Sequence, residues 1–263
     1  VSGAGALAGR RVVVTRPRER AGALAALIRR AGGEPLVFPT IEIRDPADAA
    51  PFYAIADRLA DFDLAVFVSP TAVRKALALL RARRRDAPWP AALRIAAIGA
   101  GSRRELEREG FRGVLAPNGD ADSEALLALP ELARMRGRRV VIFRGQGGRA
   151  LLGETLAARG ATVEHAECYE RARPEADAGP LLEAWARGAV DAAMVSSGEG
   201  LDNLCRLLGQ AGREWLRDTP LFVPHARVAE KAAALGVRRL VVAGVSDAEM
   251  LAALVAYFER RDA

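Results

Sequence analysis

Short runs of consecutive apolar residues alternate along the chain with segments whose apolar residues recur three and four positions apart. Val12-Val13-Val14-Thr15 precedes Leu24, Leu27 and Ile28; Leu64-Ala65-Val66-Phe67-Val68 precedes Val73, Leu77 and Leu80; Ile95-Ala96-Ala97-Ile98 precedes Leu106. The first kind of run predicts a strand and the second an amphipathic helix. A strand that is apolar throughout has both of its faces covered. The pattern therefore predicts parallel α/β layers with helices on either side of a sheet.

The same series returns with a shift of 128 residues, the interval from Arg16 to Arg144; Asp63 recurs at Asp191, Ser69 at Ser197 and Pro46 at Pro174. Later pieces follow: Leu106-Glu107-Arg108-Glu109-Gly110 answers Ala232-Ala233-Ala234-Leu235-Gly236, and Glu124-Ala125-Leu126 answers Glu249-Met250-Leu251. Self-similarity at a fixed interval points to a duplicated supersecondary unit. Two segments break the rhythm, Phe38 to Pro46 and Ala166 to Pro174; both are β-leaning and end in proline, as chain crossings between lobes would. The expected architecture is two doubly wound parallel-sheet lobes, flavodoxin- or Rossmann-like, joined by a two-stranded extended linker. The lobes are expected at 1–39 plus 173–263 and at 45–167, with 40–44 and 168–172 as the linker strands and an anionic small molecule bound in the cleft between them.

Length supports two cores, since 263 residues exceed the usual size of one domain. No apolar run reaches the roughly 18 residues of a membrane helix, so a soluble protein is expected; two cysteines without a ligand spacing read as idle thiols of a reducing cytoplasm, and the expected state is a monomer. Val1 to Gly9 reads as a loose leader without the features of a secretory signal. The net charge of +6 is carried almost wholly by arginine, because Lys75 and Lys231 are the only lysines. Arginine's planar fork suits carboxylates and phosphates. Nucleic acid is disfavoured: the arginines are interspersed with acids, aromatic residues make up 5%, and no groove-reading motif is present. The dense run Arg81-Ala82-Arg83-Arg84-Arg85 falls at an expected helix end, where cations complement the dipole and face water. Cys168, Cys205, His165 and His225 show no metal-ligand spacing, so no metal is expected.

In parallel sheets, ligands bind beyond the carboxyl ends of the strands, where helix-start amides favour anions. The loops that fall there are Thr15-Arg16-Pro17, Ser69-Pro70-Thr71, Gly99-Ala100-Gly101-Ser102, Arg144-Gly145-Gln146-Gly147-Gly148, Ser196-Ser197-Gly198-Glu199-Gly200 and Pro224-His225-Ala226-Arg227. Each alone reads as a helix cap; as a set they make an anion-binding surface. The run from Gly145 to Ala150 also fits a G-x-G-x-x-A dinucleotide fingerprint, although Thr15-Arg16-Pro17 lacks the glycines and no P-loop is present. Close packing of loop and helix accounts for those glycines equally simply. No nucleophile triad or carboxylate pair is evident. His165 reads as a surface or packed residue, whereas His225 sits at a strand-helix turn open to a ligand. Tyr169, at an expected crossing, has two readings: a phenol that donates a proton in the cleft, or a packed ring with only its hydroxyl satisfied.

Taken in order, Val14-Thr15-Arg16-Pro17, Phe38-Pro39-Thr40-Ile41-Glu42-Ile43, Phe67-Val68-Ser69-Pro70-Thr71-Ala72-Val73, Ala97-Ile98-Gly99, Phe143-Arg144-Gly145, Tyr169-Glu170-Arg171 and Ser197-Gly198-Glu199-Gly200-Leu201 resemble the uroporphyrinogen-III synthase family over essentially the whole chain. Thr71 departs from the family, which often carries asparagine there. The resemblance implies a cofactor-free lyase of haem biosynthesis that closes hydroxymethylbilane into uroporphyrinogen III with inversion of the last pyrrole ring. It further implies Tyr169 as the proton donor, Arg16, Ser69, Gly99, Arg144, Gly145, Ser197 and His225 as holders of substrate carboxylates, and transient contact with the preceding enzyme. A two-lobed anion-binding protein without catalysis and a nicotinamide-dependent enzyme using the Gly145–Ala150 loop are the rival readings.

Overall fold

The computed structural model describes residues 5–85, 87–118, 122–148 and 150–262. In chain order the elements are β1 (Arg11–Val14), α1 (Arg18–Arg30), β2 (Glu34–Val37), β3 (Glu42–Arg44), α2 (Ala50–Ala56), β4 (Leu64–Phe67), α3 (Pro70–Arg84), β5 (Arg94–Ala97), α4 (Ala100–Arg108) and α5 (Ser123–Leu127). There follow β6 (Arg139–Gly145), α6 (Leu151–Ala158), β7 (Thr162–Ala172), α7 (Gly179–Ala186), β8 (Ala192–Met194), α8 (Gly198–Asp218), β9 (Leu221–Val223), α9 (Ala226–Ala234), β10 (Leu240–Val242) and α10 (Asp247–Asp262). The chain divides into two compact units: the first holds the residues up to Glu42 and those from Ala172 onward, the second holds Ile43–Arg171.

The sheet of the first unit runs β10-β9-β8-β1-β2, with parallel pairing throughout. Read in order of appearance this is a doubly wound sheet, and the winding reverses between β1 and β8. Successive strand residues point to opposite faces. Val13 and Ala193 pack with Leu204 of α8 and Val228 of α9 on one side, while Val12, Val14 and Met194 pack with Leu24 and Ile28 of α1 and Leu254 of α10 on the other. The apolar runs have no polar alternation because each side of the sheet is a core.

The second sheet runs β3-β7-β6-β4-β5, and β5, β4, β6 and β7 pair in parallel. Here the winding reverses between β4 and β6. Phe67 and Phe143 stack at 4.8 Å between ring centroids in a core shared with α2 and α3; Val66 and Ile142 face Leu126 of α5 and Leu152 of α6.

The 128-residue shift carries β1 onto β6, β2 onto β7 and β4 onto β8, and a shift two residues shorter carries β5 onto β9. The order β9-β8-β1-β2 thus matches β5-β4-β6-β7. Asp63 and Asp191 recur because each clamps the start of the neighbouring strand. Asp191 accepts from the Arg11 N–H at 2.8 Å and from Arg10 at 3.3 Å; Asp63 accepts from the Arg139 N–H at 2.8 Å and from Arg138 at 2.8 Å. The Arg139 amide, with Arg138, holds the Asp63 carboxyl below the usual carboxylate range.

One expectation is corrected. Residues 5–9 are not loose: Leu7 is fully buried in the α1 and α10 core, and its N–H donates to the Ala31 carbonyl at 2.9 Å. Gly33 makes the room, since a Cβ there would lie 2.9 Å from Ile28 Cγ2 and 3.1 Å from Leu7 Cβ. The basic run ending α3 does face water, where Arg83 pairs with Asp57 at 2.6 Å and Arg81 pairs with Glu109.

Candidate functional site

In a doubly wound sheet the two loops that diverge where the winding reverses leave a crevice between them. In the second unit those loops follow β4 and β6. Beyond the strand ends lies a cavity of about 160 Å³. Val68, Ile98, Ile142 and Leu152 form its apolar wall; Arg144, His165, Tyr169, Arg171 and Ser123 supply its polar lining. Ser69 caps α3 by accepting from the Ala72 N–H at 3.0 Å, and its hydroxyl lies 3.5 Å from the Tyr169 hydroxyl. The Tyr169 ring is buried against Gly145, where a Cβ would come within 2.5 Å of the ring. A bulge in the β6–β7 ladder pairs Arg144 with Glu167 but Gly145 with Tyr169. That extra residue sets Tyr169 over the glycine, and the Gln146 N–H then donates to the Tyr169 carbonyl at 2.9 Å.

The crevice of the first unit lies beyond β1 and β8 and is built differently. Arg16 is 9% exposed; its guanidinium pairs with Asp247 at the start of α10 and donates to the Val245 carbonyl at 3.2 Å. Burial draws its pKa down against the opposing pull of Asp247. The remaining space beside Val14, Arg16 and Met194 has no room for a water-sized body. Ser197 caps α8 through the Gly200 N–H at 3.0 Å, the counterpart of Ser69. Where the second unit has Tyr169, the first has the buried side chain of Ile41.

Among the residues singled out by sequence, Ser69, Arg144, Gly145 and Tyr169 therefore come together, and Arg16 and Ser197 share the other crevice. Gly99 and His225 begin α4 and α9 with extended backbone, each one strand removed from its crevice, behind β5 and β9. Ile98 rather than Gly99 lines the cavity, and His225 is exposed. The dinucleotide reading of Gly145–Ala150 does not fit: Gly145 lies under the Tyr169 ring, and a Cβ on Gly148 would fall 2.7 Å from Arg144 Nη2. Both glycines make room for this chain's own side chains, Tyr169 and Arg144, where a pyrophosphate would have to approach. Arg149 of that loop lies outside the described residues.

Of the polar lining residues, Arg171 and Ser123 were given no site role from the sequence, and His165 was read as a surface or packed residue. Arg171 follows Tyr169 by two along β7, so a strand assignment carried through Ala172 would have placed those two on one face; His165 lies ahead of the bulge, which interrupts the alternation. A Cβ on Gly153 would come 2.8 Å from His165 Nε2, which ties the imidazole to α6. Burial, with Arg144 nearby, pulls the His165 pKa down. Cys168 is no nucleophile: buried, with its Sγ 3.3 Å from the Arg144 carbonyl, it is pushed up to about 12 by desolvation. Among the described residues no group of three or more His, Cys, Asp or Glu side chains is placed to hold a metal ion, and no helix is long and apolar enough to cross a membrane.

Fold and crevice define the class: a doubly wound α/β protein of two like units, with an arginine-bearing crevice in the second. A family model described as uroporphyrinogen-III synthase HemD matches residues 22–253. The chain is 38% identical over 244 residues to a uroporphyrinogen-III synthase of Salmonella typhimurium, covering 91% of this chain and 97% of that protein, and 36% identical, with the same coverage, to that of Escherichia coli. In fold it is similar to a mutant uroporphyrinogen III synthase of Thermus thermophilus, with a TM-score of 0.63 at 24% identity over 95% of this chain and 99% of that one. A uroporphyrinogen-III synthetase of Helicobacter pylori gives 0.58 at 12% identity, over 94% and 99%. The chain belongs to the uroporphyrinogen-III synthase family, a family of enzymes of tetrapyrrole biosynthesis.

Proposed function

We propose that the protein converts hydroxymethylbilane to uroporphyrinogen III, acting as a cyclising hydro-lyase that inverts the last pyrrole ring. The observation that carries the reading is the Tyr169 phenol, beside Ser69, in the lining of a crevice that Arg144 and Arg171 also line, in a chain of this family. The Tyr169 hydroxyl donates its proton to the departing hydroxyl, which leaves as water; the resulting azafulvenium cation is attacked by the substituted carbon of the last ring. The spiro intermediate fragments, the ring turns over and recloses, and loss of a proton restores the pyrrole. The substrate supplies the electrons for every step, so the reading needs no cofactor. The protein's task is to orient the chain so that inversion outruns direct closure.

Substrate carboxylates are held by Arg144, by the backbone around Gly145, and by the helix starts at Ser69, Gly99, Ser197 and His225. Arg16 acts mainly as a tie between β1 and α10, since Asp247 already occupies its guanidinium. The protein works as a cytoplasmic monomer, with transient contact to the enzyme that supplies its unstable substrate. Incubation with freshly prepared hydroxymethylbilane tests the reading: the type III isomer is expected in excess, and formation of the type I isomer alone contradicts it. A binding protein without catalysis would give that second result.

A further inference from the structure

We infer that Cys168 is a positioning residue for Tyr169: its thiol, donating to the Arg144 carbonyl, holds the bulge of β7 that carries the phenol to Ser69. The inference deepens the proposed function and rests on its assignment of Tyr169 as the proton donor.

Ahead of the bulge, β7 alternates between the two faces of its sheet. Ala166 packs in the core shared with α2 and α3. Val163 packs in the core of α5 and α6 on the other face, and His165 lies on that side too, against Gly153 of α6. Unbroken alternation would send Cys168 toward α3 and return Tyr169 to the side of His165 and Glu167. Instead Cys168 and Tyr169 are both buried in the α3 core. The register explains the change of face: Arg144 pairs with Glu167 and Gly145 with Tyr169, so Cys168 is the extra residue of the bulge. This is what lays the Tyr169 ring over Gly145 and brings its hydroxyl to 3.5 Å from that of Ser69.

A bulge interrupts its ladder and needs other contacts to fix it. The fully buried Cys168 supplies them through its Sγ, which lies 3.3 Å from the Arg144 carbonyl and 3.7 Å from the Ala72 carbonyl. Arg144 adjoins Gly145, and Ala72 donates its N–H to Ser69 Oγ. One side chain thus ties the bulge both to the strand beneath the Tyr169 ring and to the helix turn that presents Ser69. A thiol is a weak donor, but burial pushes its pKa up to about 12, so it keeps the proton that it donates.

The repeat adds an independent observation. The 128-residue shift that carries Ile41 onto Tyr169 carries Thr40 onto Cys168. Thr40 is fully buried as well, and its hydroxyl donates to the Thr15 carbonyl just past the end of β1 at 3.3 Å; β1 is the strand that answers β6. Both units therefore place a small side chain with a donor at this position and aim it at a carbonyl at the end of the neighbouring strand. A position that called only for apolar filling would need no donor in either copy.

The test uses the whole protein with Cys168→Ala and Cys168→Ser, which match in size and differ in the donor. kcat and KM are measured for type III formation from hydroxymethylbilane. Cys168→Ala should lower kcat about tenfold with KM within about twofold, as a displaced reacting group does. Cys168→Ser should keep kcat within about threefold of the unaltered protein. Equal kcat in the two variants overturns the inference even if both melt at lower temperature, since lost packing alone does not separate them. In a Tyr169→Phe background, Cys168→Ala should lower kcat no further; an undiminished loss there shows an effect that bypasses Tyr169 and overturns the inference. A second readout is independent of turnover: NMR of isotope-labelled tyrosine, with Tyr169 identified among the three tyrosines by its absence in Tyr169→Phe. The Tyr169 signal should move in Cys168→Ala and keep its place in Cys168→Ser; a signal unmoved in both overturns the inference. Absence of type III product from the unaltered protein overturns the proposed function, and the tyrosine signals still decide whether Cys168 positions the ring. Should Cys168→Ala not fold, Cys168→Val and Cys168→Thr replace the pair, again alike in shape and different in the donor. The valine variant should then show the loss and the moved signal and the threonine variant neither; equal behaviour overturns the inference.

Discussion

The two crevices share a plan and differ in what fills them. In each, a serine caps the helix that follows one strand, at Ser69 and Ser197, and an arginine ends the neighbouring strand, at Arg144 and Arg16. In the first unit the arginine is buried against Asp247 and the space has closed. In the second, a cavity remains beside the arginine, and a tyrosine stands where the first has Ile41. The comparison teaches that a duplicated frame need not be filled alike: in one copy Asp247 and Arg16 close the space, while the other keeps a cavity lined by a tyrosine.

The largest expected effect tests the tyrosine. Tyr169→Phe should lower type III turnover about a hundredfold, the scale of a lost general acid. Stability should hardly change, because the Ser69 contact at 3.5 Å is long; unchanged turnover in a coupled assay would remove Tyr169 from the mechanism. Next comes the glycine beneath it. Gly145→Ala drives a methyl into the Tyr169 ring and should cost about 2 kcal/mol, seen as a fall of about 4–8 °C in melting temperature. Gly200→Ala in the first unit meets Thr40 Oγ1 only at 3.2 Å and should stay within about 0.5 kcal/mol. Equal losses would erase the distinction.

The arginines should separate in the opposite sense. Arg16→Gln leaves a mostly buried Asp247 carboxylate without its partner and should cost about 2 kcal/mol in urea unfolding, below the range for fully buried pairs because Asp247 keeps some access to water. Arg144→Gln should cost less than about 1 kcal/mol. Comparable losses would mean that Arg144 is also a structural tie. The smallest effect concerns His165, whose pKa lies below its ordinary value through burial and Arg144. The folded chain binds that proton less readily than the unfolded chain, so the stability is present above about pH 6.5 and lost as the pH falls through the lowered pKa. Melting temperatures measured across pH 5 to 7 (roughly the range below and around the free imidazole value) should fall by about one degree less in His165→Gln than in the unaltered protein. An identical profile would assign the acid sensitivity to other groups.

Much of the fold was legible because both faces of each sheet are covered. Val12–Val14 and Leu64–Phe67 could be recognised as strands from their unbroken apolar character, and Asp63 and Asp191 marked the repeat because each clamps a strand start. Leu7 was not legible: a lone leucine among small residues gives no period, and its burial depends on Ala31, Ile28 and Gly33 folding against it. The site divided in the same way. Ser69, Arg144 and Tyr169 fall where strand ends predict them. The Arg16–Asp247 pair joins residues distant in sequence, brought together only when α10 packs on α1 and β1, and neither residue carries a local sign of the other. Arg171 drew no role because Ala166–Pro174 reads as a crossing segment, whereas β7 continues through Ala172 in the sheet; His165, just ahead of that segment, reads as a surface or packed residue because a lone histidine carries no sign of the cavity beside it.

The most direct measurement of the difference between the crevices is the thermal stabilisation given by uroporphyrin III to Arg16→Gln and Arg144→Gln side by side. A ligand that binds the folded state raises its melting temperature according to its affinity. Stabilisation should persist in Arg16→Gln, whose arginine serves its own chain, and should largely vanish in Arg144→Gln at a porphyrin concentration near the unaltered protein's Kd. Stabilisation retained in Arg144→Gln and lost in Arg16→Gln would contradict the assignment of the open crevice to the second unit.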